Sequence, residues 1–292
     1  MALSGDELRM LVRMALKEDV GTGDVTTAAL VPPKATTSAI MVAREPLTVC
    51  GLEMAELTFR ELGPGIQIVR CSTDGEAVEK GRTLLKISGP TAPILTAERV
   101  ALNFVQRLSG VATLTARYVQ AAAGTKAQIL DTRKTTPGLR RLEKYAVSCG
   151  GGKNHRMGLY DMILIKDNHV AALKTESDKP IRLAIRRARE SDPYMKIEVE
   201  ADTLDQVQQA VEGGANIILL DNMDTETIRA AIRLTQGRAK TEASGGVNLE
   251  TVRAIAETGV DFISVGALTH SARSMDIALD FIEGAHGANI EV

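Results

Sequence analysis

ILDTRKTTPGLRRLEKYAVSCGGGKNHRMGLYDMILIKDNHV, from Ile129 to Val170, is the stretch whose reading decides the fold. It begins at the end of an apolar run, Ala127 to Leu130, and passes at once to Asp131, Arg133 and Lys134. Pro137-Gly138, a basic helix, three glycines (Gly150 to Gly152) and Lys153-Asn154-His155-Arg156 follow. A second apolar run, Met162 to Ile165, closes the stretch and ends in Lys166. Eight Lys or Arg residues and two of the four histidines fall between Asp131 and His169, in a chain whose net charge is only -2. Cations gathered where two predicted core strands end predict a pocket for an anionic ligand.

Working outward, 292 residues suffice for one large domain or two ordinary ones. The near-neutral charge argues against a general nucleic-acid binder, so the basic cluster is local and suits a small polyanion. Cys50, Cys71 and Cys149 are odd in number, widely spaced and form no CxxC pattern. They read as small packing residues in a reducing cytoplasm, not as a disulfide framework or a cysteine zinc site. The first ten residues hold no apolar signal core, and no run reaches the ~18 apolar residues of a membrane span. A cytoplasmic protein is the expectation.

Upstream, Ser4 and Glu7 predict a capping box before a helix whose apolar stripe includes Leu8, Val12 and Leu16. Short strands are predicted at Ser38 to Ala43, Ile66 to Arg70 and Thr83 to Ser88, with a helix from Gly51 to Leu62 among them. A long helix starts at Thr91, and Ser109-Gly110 is expected to interrupt it before a second helix, Val111 to Ala123. Downstream of the central stretch, strands are predicted at Lys196 to Glu200, Asn216 to Leu220, Lys240 to Ala243 and Asp261 to Val265. Helices alternate with them at Leu204 to Glu212, Glu226 to Leu234 and Leu249 to Glu257. Strands recurring at 20- to 25-residue intervals are βα units with right-handed crossovers. With those at Gln128 and Met162 they make six. The fold class is therefore α/β: an N-terminal α/β domain over 1–110 and, over 111–270, a parallel α/β barrel short of the usual eight strands or an open doubly wound sheet. A last helix, Met275 to Gly284, leads a tail (271–292) expected to pack on the first domain.

In a parallel barrel the strand C-termini meet at one rim, and the ligand sits there. That rim would carry Asp131, Arg133 and Lys134, then Lys166, then Glu198 and Glu200 on one strand face, then Asp221. Ser244-Gly245-Gly246 and Ser264-Val265-Gly266-Ala267 end the last two strands, the usual place for a backbone phosphate site. Two buried carboxylates would cost several kcal/mol unless paired, and Lys134 and Lys166 are the expected partners. His155 stands too far from other ligand residues in the sequence to suggest a zinc site.

These residues, with EDVGTGDVTT (18–27), AERVALNFVQRLSGVAT (97–113), IEVE (197–200), LLDNM (219–223), EASGGV (242–247) and VGALTH (265–270), resemble the quinolinate phosphoribosyltransferase family almost end to end. The family is also called nicotinate-nucleotide diphosphorylase (carboxylating). The resemblance implies an N-terminal α/β sandwich domain and an incomplete barrel of six to seven strands, in a homodimer or an assembly of dimers. It implies transfer of phosphoribosyl from phosphoribosyl pyrophosphate to quinolinate with Mg2+, releasing pyrophosphate and carbon dioxide. By position, Arg133, His155, Arg156 and Lys166 would hold quinolinate, with Thr132 beside them and Arg99 reaching in from a neighbouring subunit. Lys134, Glu200 and Asp221 would be catalytic on the ribose and metal side. Glu200 and Asp221 would hold the metal, directly or through water. Arg140 would lie near the diphosphate, and Ser244 to Gly246 with Val265 to Ala267 would bind phosphate. The rival readings are a Schiff-base aldolase using Lys134 or Lys166 and a non-catalytic phosphate-sugar-binding paralogue.

Overall fold

The computed structural model describes residues 4–282. The chain divides into two compact units: residues up to Leu114, Arg141–Gly151 and residues from Ala272 on form one, and Thr115–Arg140 with Gly152–Ser271 form the other.

In the first unit the N-cap of α1 (Gly5–Val20) is Ser4, and Ser4 and Glu7 exchange the two hydrogen bonds of a capping box. Asp24 caps α2 (Val25–Leu30). There follow β1 (Thr36–Ala43), β2 (Leu47–Thr48), α3 (Leu52–Leu62), β3 (Gln67–Arg70), β4 (Ala77–Val78) and β5 (Thr83–Pro90). β5 lies between β1 and β3, antiparallel to both. The alternate residues Ala39 and Met41 of β1 and Leu85 and Ile87 of β5 share one buried core with Leu52 and Phe59 of α3.

The next helix, α4 (Thr91–Ala121), runs for 31 residues through the expected break at Ser109-Gly110. Both residues serve packing instead of interruption. A Cβ at Gly110 would lie 1.9 Å from the carbonyl oxygen of Arg273, so only glycine admits that backbone. Ser109 Oγ accepts from the Cys50 N–H at 3.0 Å and donates to its carbonyl at 3.2 Å. The glycine's propensity cost of about 1 kcal/mol is offset by the close approach it permits.

The second unit supplies β6 (Gln128–Leu130), then α5 (Arg140–Cys149), which from Arg141 clusters with the first unit. After it come β7 (Ile163–Ile165), α6 (Asp167–Ala171), α7 (Pro180–Ser191), β8 (Ile197–Ala201), α8 (Leu204–Gly213) and β9 (Ile217–Asp221). α9 (Thr225–Thr235), β10 (Lys240–Ser244), α10 (Val252–Ala256), β11 (Phe262–Ser264) and α11 (Ala267–His270) complete it. The six strands are parallel in the order β6-β11-β10-β9-β8-β7. Consecutive strands neighbour one another except that β6 joins β11, which is barrel topology left open between β6 and β7. On its free side β6 takes one further bridge, Leu130 to Lys153, a rudimentary seventh position.

The chain then returns to the first unit as a strand, β12 (Ile277–Phe281), where a helix from Met275 to Gly284 was expected. β12 runs antiparallel to β1, pairing Ile277 with Ala43 and Leu279 with Met41. Ile277 and Leu279 satisfy a period of two as well as a helical stripe, and the open edge of β1 decides between them. The expected tail beyond residue 282 lies outside the described residues. No described helix is long and apolar enough to cross a membrane. Replacing Gly110 by Ala should lower stability by about 1–3 kcal/mol, seen as an earlier denaturation midpoint with unchanged slope.

Candidate active site

Asp131, fully buried at the end of β6, organises the cationic side of the site. Its carboxylate accepts from Asn154 Nδ2 at 2.6 Å and from the His155 N–H at 2.9 Å. Lys153 N–H donates to the Ile129 carbonyl at 2.8 Å, and Asp131 N–H to the Lys153 carbonyl at 3.1 Å. The Lys153–Arg156 segment is thereby laid along β6 like a strand, which the three preceding glycines allow. Arg140 braces the opposing loop, donating to Thr135 Oγ1 at 3.0 Å and to the carbonyls of Met157 and Arg133 at 3.1 and 3.3 Å. Arg156 is held by the Met162 carbonyl at 3.1 Å.

A cavity of about 460 Å³ opens at the strand ends of the parallel sheet. Thr132, Arg133, Lys134, His155, Arg156 and Lys166 line its cationic side; Glu200, Asp221, Asn222 and Ser244 to Gly246 line the other. Alternation explains the division. Val199 and Leu220 are buried on the strands that present Glu200 and Asp221 to the cavity. Lys166 Nζ stands 3.5 Å from Glu200 Oε2, joining the two sides. Burial raises the Glu200 carboxyl above its ordinary value; Lys166 works against this and Asp221 with it. Burial and the neighbouring Arg133 lower Arg156, against the opposing pull of Glu198 and Asp161, so like charges crowd on the cationic wall.

The acidic turn needs glycine. Asn222, itself in the left-handed region at φ 53°, places its side chain against Gly245, where a Cβ would lie 2.1 Å from Asn222 Oδ1. Gly245 has φ 92° and Gly246 φ 61°, so this loop turns with its backbone exposed to a ligand.

In the wall of the cavity lies a cluster that the spacing of His155 concealed. Arg156 N–H donates to His155 Nδ1 at 2.7 Å, which leaves the ring proton on Nε2 in the neutral form. Nε2 is 2.9 Å from Glu198 Oε2 and 3.6 Å from Glu242 Oε1, and both glutamates are fully buried. Of the two lysines expected to pair with these carboxylates, Lys166 meets Glu200, while Glu198 is met by His155 instead. His155 does have other ligand-type residues about it, contrary to the reading from spacing. Burial, reinforced by Glu198 and opposed by His155, pushes the Glu242 carboxyl up to about 8.

Of the residues expected at the site, Thr132, Arg133, Lys134, His155, Arg156, Lys166, Glu200, Asp221 and Ser244 to Gly246 line the one cavity. Arg140 does not line it but fixes the loop carrying Arg133. Val265 is buried, and Gly266 approaches Lys134, whose Cδ would lie 3.0 Å from a Cβ there. Ala267 opens α11. Arg99 is exposed on α4 in the first unit. Ser264, expected on the rim, lines the cavity too, whereas sequence reasoning missed Asn222 and Glu242 as lining residues. Adjacency to Asp221 for Asn222, and a shared strand face with Ser244 for Glu242, were the available signals.

Residues 111–280 match the family described as quinolinate phosphoribosyl transferase, C-terminal domain, and residues 24–109 match its N-terminal domain. The chain belongs to the quinolinate phosphoribosyltransferase family. Nicotinate-nucleotide pyrophosphorylase (carboxylating) of Mycobacterium leprae is 44% identical over 281 residues, covering 94% of this chain and 97% of that one. The chloroplastic enzyme of the same name from Arabidopsis thaliana is 42% identical over 289 residues, covering 94% and 82%. The crystal structure of the nicotinate-nucleotide pyrophosphorylase from Francisella tularensis superposes with a TM-score of 0.90 at 39% identity, covering 96% of this chain and 98% of that one. Family membership and the strand-end cavity agree with the architecture and the central stretch.

Glu242 makes a pH prediction for this member of the family. Its folded-state value lies above the ordinary one near 4.5, so folding takes up a proton between 4.5 and about 8. The associated stability is present in full below 4.5 and is lost as the pH rises to about 8. Glu242→Gln should flatten the fall of melting temperature between pH 5 and pH 9. Parallel curves for the two proteins would remove this assignment.

Proposed function

We propose that the protein transfers the phosphoribosyl group of phosphoribosyl pyrophosphate to quinolinate with decarboxylation, giving nicotinate mononucleotide, pyrophosphate and carbon dioxide in NAD synthesis. One observation carries the reading: a single cavity sets Arg133, His155, Arg156 and Lys166 against Glu200, Asp221 and the Ser244–Gly246 loop. Quinolinate has carboxylates on adjacent ring carbons, and arginine forks with imidazole and ammonium donors orient such a pair by charge-assisted hydrogen bonds. Compensation of the crowded cations by those two carboxylates would tighten binding.

Bound so, the pyridine nitrogen faces the anomeric carbon of the sugar held on the acidic side. Glu200 and Asp221 hold ribose hydroxyls and stabilise positive charge as the bond to pyrophosphate loosens. Lys134 neutralises the departing diphosphate, and the exposed backbone N–H groups of the Ser244–Gly246 loop receive the 5′-phosphate, together with the turn from Val265 to Ala267. Arg140 serves by fixing Arg133. Much of the acceleration is positioning. Once the ring nitrogen is ribosylated, its charge stabilises the carbanion left at the neighbouring carbon as carbon dioxide leaves.

Glu200, Asp221 and the Asn222 amide form an oxygen-rich donor set of the kind Mg2+ takes, and a cation would offset both the burial that raises Glu200 and the added repulsion from Asp221. Glu200 and Asp221 would hold it, directly or through water, and the ion would supply charge neutralisation at the diphosphate. Arg99, exposed on α4, is read as entering the acceptor site of a second subunit in a homodimer. Three free cysteines among the described residues support a cytoplasmic setting. A Schiff-base role for Lys166 is disfavoured by its ion pair with Glu200, which engages the amine.

The purified protein should form nicotinate mononucleotide from quinolinate, the sugar diphosphate and Mg2+; product from nicotinate instead would overturn the substrate assignment. Arg133→Ala and Lys166→Ala should each lower kcat/KM by about a hundredfold or more, with unaltered circular dichroism. Near-normal turnover in both would refute the pocket. Mixing inactive Arg99→Ala with inactive Arg133→Ala under subunit exchange should restore about a quarter of wild-type activity, since half of the dimers then contain one intact site. Activity of neither mixture nor exchange control above the single variants would mean that Arg99 acts within its own subunit.

A further inference from the structure

Two of the chain's three cysteines, far apart in sequence, meet within the first unit. The Sγ atoms of Cys50 and Cys149 and a carboxylate oxygen of Asp74 all lie within 4.8 Å of one another. Cys50, just before α3, is fully buried, whereas Cys149, ending α5, is half-buried and can be reached from solvent. Asp74 binds both thiol-bearing segments. It accepts from the Gly51 and Leu52 N–H groups at 3.1 and 3.2 Å, on the chain just after Cys50. It also accepts from Tyr145 Oη at 3.0 Å, one helical turn before Cys149. Gly75 follows closely, and a Cβ there would touch the Cys149 carbonyl at 3.4 Å. The two sulfurs are therefore held side by side by main-chain and carboxylate contacts that neither thiol makes.

A metal does not suit this arrangement. Three donors already occupy the Asp74 carboxylate, and two thiolates alone fall short of the four ligands of a structural zinc site. Packing alone does not require two polarisable thiols in one place or a tyrosine hydroxyl beside them. We propose that Cys50 and Cys149 form a redox-active dithiol, with Cys149 as the attacking thiol and Cys50 as the resolving one, oxidised by peroxides to an intramolecular disulfide. The asymmetry of the pair supports these roles. The hydrogen bond from Cys50 lowers Cys149 from its ordinary value, with help from Tyr145 and against burial and Asp74. The same hydrogen bond, burial and Asp74 hold Cys50 protonated.

The chemistry balances. The Cys149 thiolate attacks one peroxide oxygen, the O–O bond breaks, and the alcohol or water leaves with a proton, giving a sulfenic acid. Cys50 loses its proton and attacks that sulfur; the S–O bond breaks and water departs. Two thiols are oxidised by two electrons and one peroxide is reduced. Intracellular disulfides of this kind are transient and reversible. The cross-link would fasten the end of α5 at the start of Gly150–Gly152, the glycine run that leads directly to Lys153–Arg156.

The test treats the full chain with about one equivalent of hydrogen peroxide and counts thiols by maleimide labelling and intact mass. Free thiols should fall from three to one, peptide mapping should locate a Cys50–Cys149 link, and dithiothreitol should restore both. Cys50→Ser should stop the reaction at a dimedone-reactive sulfenic acid on Cys149. Cys149→Ser should leave Cys50 unmodified. Tyr145→Phe should slow oxidation severalfold, and Cys149 should react at least about tenfold faster than Cys71. Oxidation of Cys71 at an equal rate, disulfides only between chains, or no loss of thiols from the wild-type protein would overturn the proposal. Each readout is independent of turnover, so the outcome stands apart from the assignment of the catalytic pocket.

Discussion

Much of the second unit depends on how charge is compensated inside a parallel sheet. Glu198 and Glu242 occupy positions where an isolated carboxylate would cost several kcal/mol, and Asp131 is buried as completely at the end of β6. Asp131 is stabilised by donors from Asn154 and His155, which draws the Lys153–Arg156 segment onto the sheet. Glu198 and Glu242 face the same histidine from the interior. His155 is consequently held from both sides, by its main chain and by its ring. The imidazole at the cavity wall owes its position to three carboxylates, of which only Glu242 itself lines the cavity.

The frame of this arrangement was legible from local pattern. Gln128 to Leu130, Met162 to Ile165 and the four later strands are short segments, most of them apolar or alternating, each ended by a charged or small residue, at the spacing of βα units. Period and punctuation are properties of neighbouring residues, so they survive reading one residue at a time. The same locality explains why Arg133, Lys134, Lys166, Glu200 and Asp221 could be placed on one rim: each directly follows or closes a strand. Resemblance to a family carried over His155 and Arg156, whose loop has no periodic signature.

What escaped was decided by contacts between distant segments. Ser109-Gly110 looks like a break until Arg273 is known to pass against it. Ile277 to Phe281 fits helix and strand alike, and β1 selects the strand by offering an unpaired edge. Glu242 sits in KTEAS, a polar strand without apolar alternation, and its burial beside Glu198 follows only from the pairing of β8, β9 and β10. Cys50 and Cys149 were separable in sequence and adjacent in space for the same reason. Local rules find elements well; they are silent on which element covers which.

Opposed charge across one cavity has a further consequence for a site that takes two anions. A uniformly basic cavity would hold either substrate in either place, whereas under the proposed function Glu200 and Asp221 would repel the acceptor's carboxylates from the sugar's side. The cations Arg133 and Arg156, crowded enough for burial and mutual repulsion to lower Arg156, are best relieved by a ligand bearing two adjacent negative charges. Lys166 bridges the two sides through Glu200, so binding of the acceptor and the state of the acidic wall are electrostatically coupled. Specificity here comes from repulsion as much as attraction, and a metal at Glu200 and Asp221 would turn that repulsion into a site for the diphosphate while leaving the acceptor wall unchanged.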